Sequence, residues 1–198
     1  TGDLIRILTL PAHNSFSSVG EAFSPDGKHI FTASVRIGRL WDTESVINTG
    51  LPQFSTPNDP VYAVAFSPDV KDVLTGSGSQ NKARLWDLQA RKEIREFIGH
   101  TDYIQSLAFS PDGKYVLTGG GNGDNTARVW EVQTGQQLRR FDGNADENGL
   151  TVAFSPDGKY IATVGKHAIV WDAQTGQKLQ EFMGHTDLVY AVAFSPDS

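Results

Sequence analysis

Short runs of alternating apolar and polar residues recur along the chain, and each run is followed by a turn sequence. In the most regular copy, residues 103–109 alternate and are rich in strand-forming residues, and Ser-Pro-Asp-Gly follows them. Proline presets the first corner of a type I turn, aspartate suits the second, and glycine takes the left-handed position, so this sequence predicts a hairpin. Residues 115–118, 126–130 and 136–141 are the predicted second, third and fourth strands.

This unit is present in five copies. The hairpin motif Phe-Ser-Pro-Asp begins at Phe23, Phe66, Phe109, Phe154 and Phe194, with spacings of 43, 43, 45 and 40 residues. A period in this range indicates a repeat architecture. Four short antiparallel strands in each period predict one blade of a β-propeller, and the two faces of a blade are covered only when its neighbours stack on it.

Two further motifs keep the same register. Gly99-His100 and Gly184-His185 precede predicted first strands, and all four tryptophans end predicted third strands, in the pairs Trp41-Asp42, Trp86-Asp87, Trp130-Glu131 and Trp171-Asp172. These motifs resemble those of the WD-repeat β-propeller family, and the resemblance covers essentially the whole chain. The expected fold is therefore all-β, with four complete four-stranded antiparallel blades plus one strand of a blade at each end.

The resemblance also implies which residues are structural. In WD repeats, a buried His, Ser or Thr, Asp and Trp form a hydrogen-bonded chain, because an indole N–H in a dry layer needs an acceptor. The third blade supplies all four as His100, Thr118, Asp124 and Trp130, and Trp41, Trp86 and Trp171 occupy the same tryptophan position in the other blades. The other blades lack the aspartate and carry Val35, Gln80 and Gly165 there instead.

The repeats also set the predicted boundaries. Complete blades are expected at about residues 19–54, 61–97, 103–141 and 150–182, with partial blades at 1–10 and 188–198. Because WD-repeat proteins usually close with seven blades, the resemblance implies an arc of a larger ring. The missing blades would then come from the same chain or from another one, since open blade faces and strand edges favour association.

Composition narrows the class of partner. The net charge is −6 and the pI is about 5.3, which argues against nucleic acid as the main partner. No run of apolar residues is long enough to span a membrane, and from the polar start of the sequence we expect no signal peptide. The sequence has no cysteine for disulfides, thiolate catalysis or cysteine-ligated zinc. The cytoplasm is the expected compartment. No catalytic group, metal site or cofactor is predicted, because the histidines and aspartates of the motifs have structural positions.

The remaining candidates lie in the loops before each first strand and between the second and third strands. In WD-repeat proteins these loops converge on one face that commonly binds partners. By register, the predicted partner-binding residues are Asp59, Tyr62, Asp102, Tyr103, Gln105, Asp187 and Tyr190. An acidic surface with tyrosines suits a protein or peptide partner with basic residues.

The leading hypothesis from the sequence is a non-catalytic interaction scaffold or sensor module within a larger WD-repeat protein. Two alternatives remain open at this stage. One is a propeller enzyme of the hydrolase or lactonase type, with carboxylates or histidines converging on its channel. The other is an arc that oligomerises to complete a ring.

Overall fold

The computed structural model describes residues 20–33, 37–43, 53–55, 59–143 and 149–197. Within these ranges every regular element is a strand, and no helix long and apolar enough to cross a membrane is present. In chain order the strands are β1 (Gly20–Phe23), β2 (His29–Ala33), β3 (Ile37–Asp42), β4 (Gln53–Ser55), β5 (Val61–Phe66), β6 (Asp72–Ser77), β7 (Lys82–Asp87), β8 (Lys92–Ile98), β9 (Ile104–Phe109), β10 (Tyr115–Gly120), β11 (Thr126–Glu131), β12 (Gln137–Asp142), β13 (Thr151–Phe154), β14 (Tyr160–Val164), β15 (Ala168–Asp172) and β16 (Lys178–Phe182). The strand predicted within residues 1–10 lies outside the described residues.

The strands form four antiparallel sheets of four strands each, and each sheet follows chain order from its first strand to its fourth. The all-β prediction with four complete blades is therefore confirmed. Contacts join β1 to β5, β5 to β9 and β9 to β13, so the first strands of successive sheets are neighbours. The fourth strand of each sheet consequently lies on the side away from these contacts, at the outer edge.

The hydrophobic core lies between the sheets. In the layer between the second and third sheets, Leu74 and Phe97 pack with Val116 and Trp130. The ring centroids of Phe97 and Trp130 are 6.0 Å apart, and those of Phe141 and Trp171 in the next layer are 5.4 Å apart. Both of these layers thus join an outer-strand phenylalanine of one sheet to the tryptophan of the following sheet.

This stacking explains the burial pattern along the chain. The second strands β6 and β10 are buried at five consecutive positions, because neighbouring sheets cover both of their faces. The outer strands β8 and β12 instead keep most of their positions exposed. Alternation of apolar and polar residues is therefore weak in the central strands.

The repeated hairpin is held by its own side chains. Glycine takes a positive φ at Gly27, Gly113 and Gly158 (69°, 72° and 71°), whereas Val70 occupies the same place in the second hairpin at 59°. In all four hairpins the serine hydroxyl donates to the aspartate two residues later, at 2.5–2.8 Å: Ser24 to Asp26, Ser67 to Asp69, Ser110 to Asp112 and Ser155 to Asp157. The bond from Ser155 is the main cause that lowers the pKa of Asp157 to about 2. The hydrogen bonds within the turn therefore explain why an aspartate recurs at these four positions.

The four sheets form an open arc in the part of the chain that the structure describes. Phe23 on β1 is 71% exposed although its equivalent Phe66 is 7% exposed, and Phe182 on β16 is 54% exposed although its equivalent Phe141 is 2% exposed. At each end of the arc, a position that is buried where two sheets pack together is therefore exposed to solvent.

The segment 188–194, predicted as the first strand of a partial blade, forms no regular strand in the structure. It nevertheless contacts the fourth sheet as a first strand would. The N–H of Val189 donates to the carbonyl of Gly165 at 3.0 Å, as that of Leu150 does to Gly120 at 3.0 Å. A regular strand also needs a continuous ladder of hydrogen bonds to a neighbouring strand.

A close backbone approach at the layer between the third and fourth sheets gives a testable consequence. A Cβ added at Gly119 would overlap the carbonyl oxygen of Leu150 and lie 3.1 Å from its carbonyl carbon. We expect Gly119→Ala to lower the free energy of unfolding by about 1–3 kcal/mol in chemical denaturation, the usual cost of overpacking. Gly76→Ala tests the corresponding place in the second sheet, where the added Cβ would lie 2.8 and 2.9 Å from Cγ2 and Cβ of the buried Ile104, so a loss of stability is expected there as well. A Gly119→Ala protein as stable as the wild type would contradict this close packing.

Candidate partner-binding surface

Each of the four sheets buries one tryptophan and satisfies its indole N–H in the same way. The donor is on the third strand and the acceptor is a threonine hydroxyl on the second strand. The pairs are Trp41 with Thr32 at 2.8 Å, Trp86 with Thr75 at 2.8 Å, Trp130 with Thr118 at 2.9 Å and Trp171 with Thr163 at 2.9 Å. The tryptophans are 1–9% exposed, so the indole has no access to water as an alternative acceptor.

In the third sheet this bond continues into a longer network. His100 Nε2 lies 2.6 Å from Thr118 Oγ1, and His100 Nδ1 lies 2.8 Å from Asp124 Oδ1. Because a carboxylate only accepts, Nδ1 carries the proton and Nε2 accepts from the threonine hydroxyl. The donors therefore run in one direction, from Trp130 through Thr118 and His100 to Asp124.

Burial sets the protonation state of this network. It lowers the pKa of His100 below its ordinary value of 6.5, although the Asp124 carboxylate acts in the opposite direction. Burial of Asp124 would raise its pKa, but hydrogen bonds from His100, Thr126 and Thr101 hold that pKa far below its usual value. The pair is therefore a neutral imidazole and a carboxylate at pH 7. Arg128 Nη2 provides the compensating charge for Asp124 at 3.2 Å.

The second sheet buries a different network at the corresponding place. The Asp59 side chain is 1% exposed and forms an ion pair with Arg84 at 2.6 Å. It also accepts from the Ser77 hydroxyl at 2.6 Å and from the Ser79 N–H and hydroxyl at 3.1 and 3.0 Å. Burial opposes ionisation of Asp59, but these bonds lower its pKa below the usual value. The assignment of Asp59 to the exposed partner-binding set is therefore corrected, because its carboxylate is enclosed and fully occupied.

The two networks share one feature that a motif search misses. Arg84 and Arg128 both stand two residues before the tryptophan of their sheet, and both guanidinium groups are buried against a carboxylate. In the third sheet the carboxylate comes from the loop before β11, and in the second it comes from the loop before β5. Arg84 has no aspartate four residues before it, unlike Arg128, so its buried charge needs a carboxylate from another loop. This requirement was the sequence signal that Asp59 could be buried.

The starts of β5 and β9 bring three of the predicted residues together. The rings of Tyr62 and Tyr103 meet edge to face, with centroids 5.4 Å apart and planes at 70°. Asp102 lies next to Tyr103, and its carboxylate accepts from the N–H of Tyr103 at 2.9 Å and of Gly123 at 2.7 Å. We refer to Tyr62, Asp102 and Tyr103 as the tyrosine cluster. It lies where the loops of the second and third sheets meet.

The other three predicted residues lie outside the tyrosine cluster, Gln105 beside it and the other two at the fourth sheet. Gln105 is half-buried on β9. Asp187 is exposed and accepts from the N–H of Leu188 at 2.8 Å. Tyr190 is 69% exposed, and its carbonyl accepts from the Thr151 hydroxyl at 3.1 Å. Asp187 and Tyr190 therefore belong to the end of the arc at the fourth sheet.

The neutral state of His100 generates a pH dependence of stability. Below about pH 6.5 the imidazole of His100 binds a proton in the unfolded chain but stays neutral in the folded chain, because its pKa there is lower. The free energy of unfolding therefore falls on acidification, by up to about 1.4 kcal/mol per pH unit. Asp124 also loses its contribution on acidification, but only from its ordinary pKa of 3.8 downward. We expect denaturation between pH 7.5 and 5 to show a smaller loss for His100→Gln than for the wild type.

His185 provides the matched control for this measurement. It stands in the same Gly-His sequence as His100 but is exposed. The pH dependence of His185→Gln should therefore follow the wild type. Equal slopes for the wild type and His100→Gln would show that the imidazole is not buried in its neutral form.

The comparisons with known proteins agree with this architecture. The family model described as WD domain, G-beta repeat matches residues 4–42, 50–87, 91–131, 135–172 and 176–198. Each of the first four matched segments ends at the residue after a tryptophan, on the third strand of a sheet. A search of curated proteins found no match. Five repeats that cover most of the sequence, on four stacked sheets that each bury one tryptophan, show that the chain belongs to the WD40 family.

Proposed function

We propose that this WD40 protein acts by binding a protein or peptide, without catalysing a reaction, through the surface that carries the tyrosine cluster. WD40 repeats generally mediate protein–protein interaction. The observation that carries the proposal is the contrast between buried polar residues and exposed tyrosines in and beside the loops that precede the first strands. His100, Asp124 and Asp59 are enclosed in hydrogen-bonded networks, whereas Tyr62 and Tyr190 are 40% and 69% exposed.

The chemistry of these loops supports a partner with basic residues. Tyrosine presents a large rigid contact area with a polar tip, and it is enriched at the energetic centres of interfaces. Asp102 adds negative charge beside the tyrosine cluster and Asp187 adds it near the fourth sheet, and the whole chain has a net charge of −6. A role as a scaffold or sensor in the cytoplasm remains part of this proposal.

The surface is tested with the tyrosines that carry it. We expect the triple variant Tyr62→Ala, Tyr103→Ala, Tyr190→Ala to lose at least about tenfold of its affinity for the protein partner that the wild type captures, as removal of central aromatic contacts does. Tyr160→Ala is the control, because Tyr160 is 37% exposed but lies at the hairpin end of the fourth sheet. Retention of every specific partner by the triple variant, measured by affinity capture and titration, would refute this surface.

The open end of the fourth sheet favours a second proposal. Leu179, Phe182 and Met183 are 45%, 54% and 74% exposed on and beside its outer strand. In the inner layers, the equivalent Phe97 and Phe141 pack on the tryptophan of the following sheet. We propose that a further blade, from the same chain or from a second one, covers this face.

Sedimentation velocity separates the two sources of that blade. If a second chain supplies it, the protein should associate as its concentration rises, and Phe182→Ser should weaken this association because it removes the apolar contact. Ile98→Ser is the matched control, since Ile98 is 69% exposed on the outer strand of the second sheet. A single monomeric species at every concentration is incompatible with completion by a second chain.

A further inference from the structure

We infer that the tyrosine cluster of Tyr62, Asp102 and Tyr103 is a recognition site for an arginine side chain. The inference rests on the proposed function, because it supplies the chemistry by which that surface would select its partner. It depends on four properties of the cluster: the arrangement of the rings, the rigidity of their support, the position of the carboxylate and the match to a guanidinium group.

The two rings provide an aromatic surface that is open to solvent. They meet edge to face, with centroids 5.4 Å apart and an interplanar angle of 70°. Tyr62 keeps 40% of its surface exposed, while Tyr103 is half-buried. A cation within about 6 Å of a ring centroid is attracted by the negative face of the ring. The pair therefore offers one exposed ring whose orientation is fixed by the other.

Glycine residues fix both rings in place. A Cβ at Gly78 would lie 2.5 Å from Cε2 of Tyr62, and a Cβ at Gly121 would lie 2.5 Å from Cε1 of Tyr103, so only glycine allows these contacts. The same glycines hold the loops before β5 and β9 through their N–H groups, which donate to Pro60 at 2.6 Å and to Tyr103 at 2.7 Å. The aromatic surface is thus formed before a ligand binds, and little side-chain entropy is lost on binding.

Asp102 places a negative charge beside the rings. Each of its carboxylate oxygens accepts one backbone N–H, from Tyr103 at 2.9 Å and from Gly123 at 2.7 Å. A carboxylate has about four acceptor positions, so both oxygens keep capacity for a further donor. Burial raises the pKa of the Tyr103 phenol, and the charge of Asp102 and the neighbouring Tyr62 phenol raise it further, which agrees with the convergence of the three groups.

A guanidinium group fits this combination better than an ammonium group does. Its flat surface stacks on an aromatic ring, and its fork of N–H donors matches the two oxygens of a carboxylate. The ammonium of lysine is compact and strongly hydrated, and it contacts a carboxylate as a point charge. The cluster should therefore bind arginine more tightly than lysine, and it should bind either cation more tightly than a neutral side chain of the same shape.

The test uses the 198-residue chain and three blocked tripeptides that differ only at the central residue, which is arginine, lysine or citrulline. Citrulline keeps the planar shape of arginine without its charge. Each peptide is titrated into the millimolar range while the amide signals of Gly78, Gly121 and Gly123 are followed by NMR. We expect saturable shifts at these glycines with the arginine peptide, at least about fivefold weaker binding of the citrulline peptide, and intermediate binding of the lysine peptide.

Two kinds of variant assign the effect to the cluster. Tyr62→Ala should weaken binding of the arginine peptide at least about fivefold through loss of the exposed ring, and Tyr160→Ala should leave it unchanged. Asp102→Asn keeps the size of the side chain but removes the charge and one of the two backbone hydrogen bonds, so it should reduce the preference for arginine over citrulline. Thermal unfolding of each variant shows whether its fold is retained. Asp102→Asn keeps the test decisive if an alanine variant is destabilised.

Three results would overturn the inference: no shift at the three glycines, equal affinity for arginine and citrulline, or shifts that survive both Tyr62→Ala and Asp102→Asn. Tighter binding of lysine than of arginine would also overturn it, because a point charge would then suffice. These outcomes are distinct from failure of the proposed function. A partner that is lost in the triple tyrosine variant, together with an unresponsive arginine peptide, would retain the docking surface and refute only the arginine site.

Discussion

The fold depends on one hydrogen bond placed inside an apolar layer, the bond from the tryptophan indole N–H to a threonine hydroxyl. It occurs in all four sheets at 2.8–2.9 Å and connects the third strand to the second. A tryptophan is large enough to fill the space between two sheets, but its buried N–H would be costly without an acceptor. The threonine removes that cost. On β6 and β10 the threonine is followed by a glycine, Gly76 or Gly119, where the chain of the following sheet approaches closely.

The polar groups around this bond connect the core to the surface. In the third sheet, Asp124 accepts from the N–H of Thr101 at 2.7 Å, directly before Asp102 and Tyr103 in the chain. In the second sheet, Asp59 precedes Pro60 and Tyr62 and is held by Arg84. The two networks use different residues, yet each anchors the loop that presents a tyrosine. The residues that resemble catalytic groups therefore have another task here, which is to hold the loops of the proposed docking surface in a fixed position.

The repeat motifs predicted much of the fold because each has a local physical cause. The Ser-Pro-Asp-Gly hairpins follow from turn chemistry and the strands from the apolar pattern, whereas the burial of the tryptophans was implied by the resemblance to WD repeats. Three features did not follow. The environment of Asp59 depends on Arg84, which lies 25 residues later on β7 and belongs to no motif that includes Asp59. The segment 188–194 lacks a ladder that sequence pattern alone implied. The contact of Tyr62 with Tyr103 joins two repeats, and a motif within one repeat carries no information about it.

The repeats matched by the family are out of phase with the sheets. Each of the segments 50–87, 91–131 and 135–172 begins with or before the outer strand of one sheet and ends on the third strand of the next. One sequence repeat therefore contributes strands to two adjacent sheets instead of forming one complete sheet. Tandem duplication of such a unit adds one outer strand to complete the old sheet and three strands that begin a new one. An array of this kind can lengthen during evolution without passing through an intermediate that has a broken sheet in its middle.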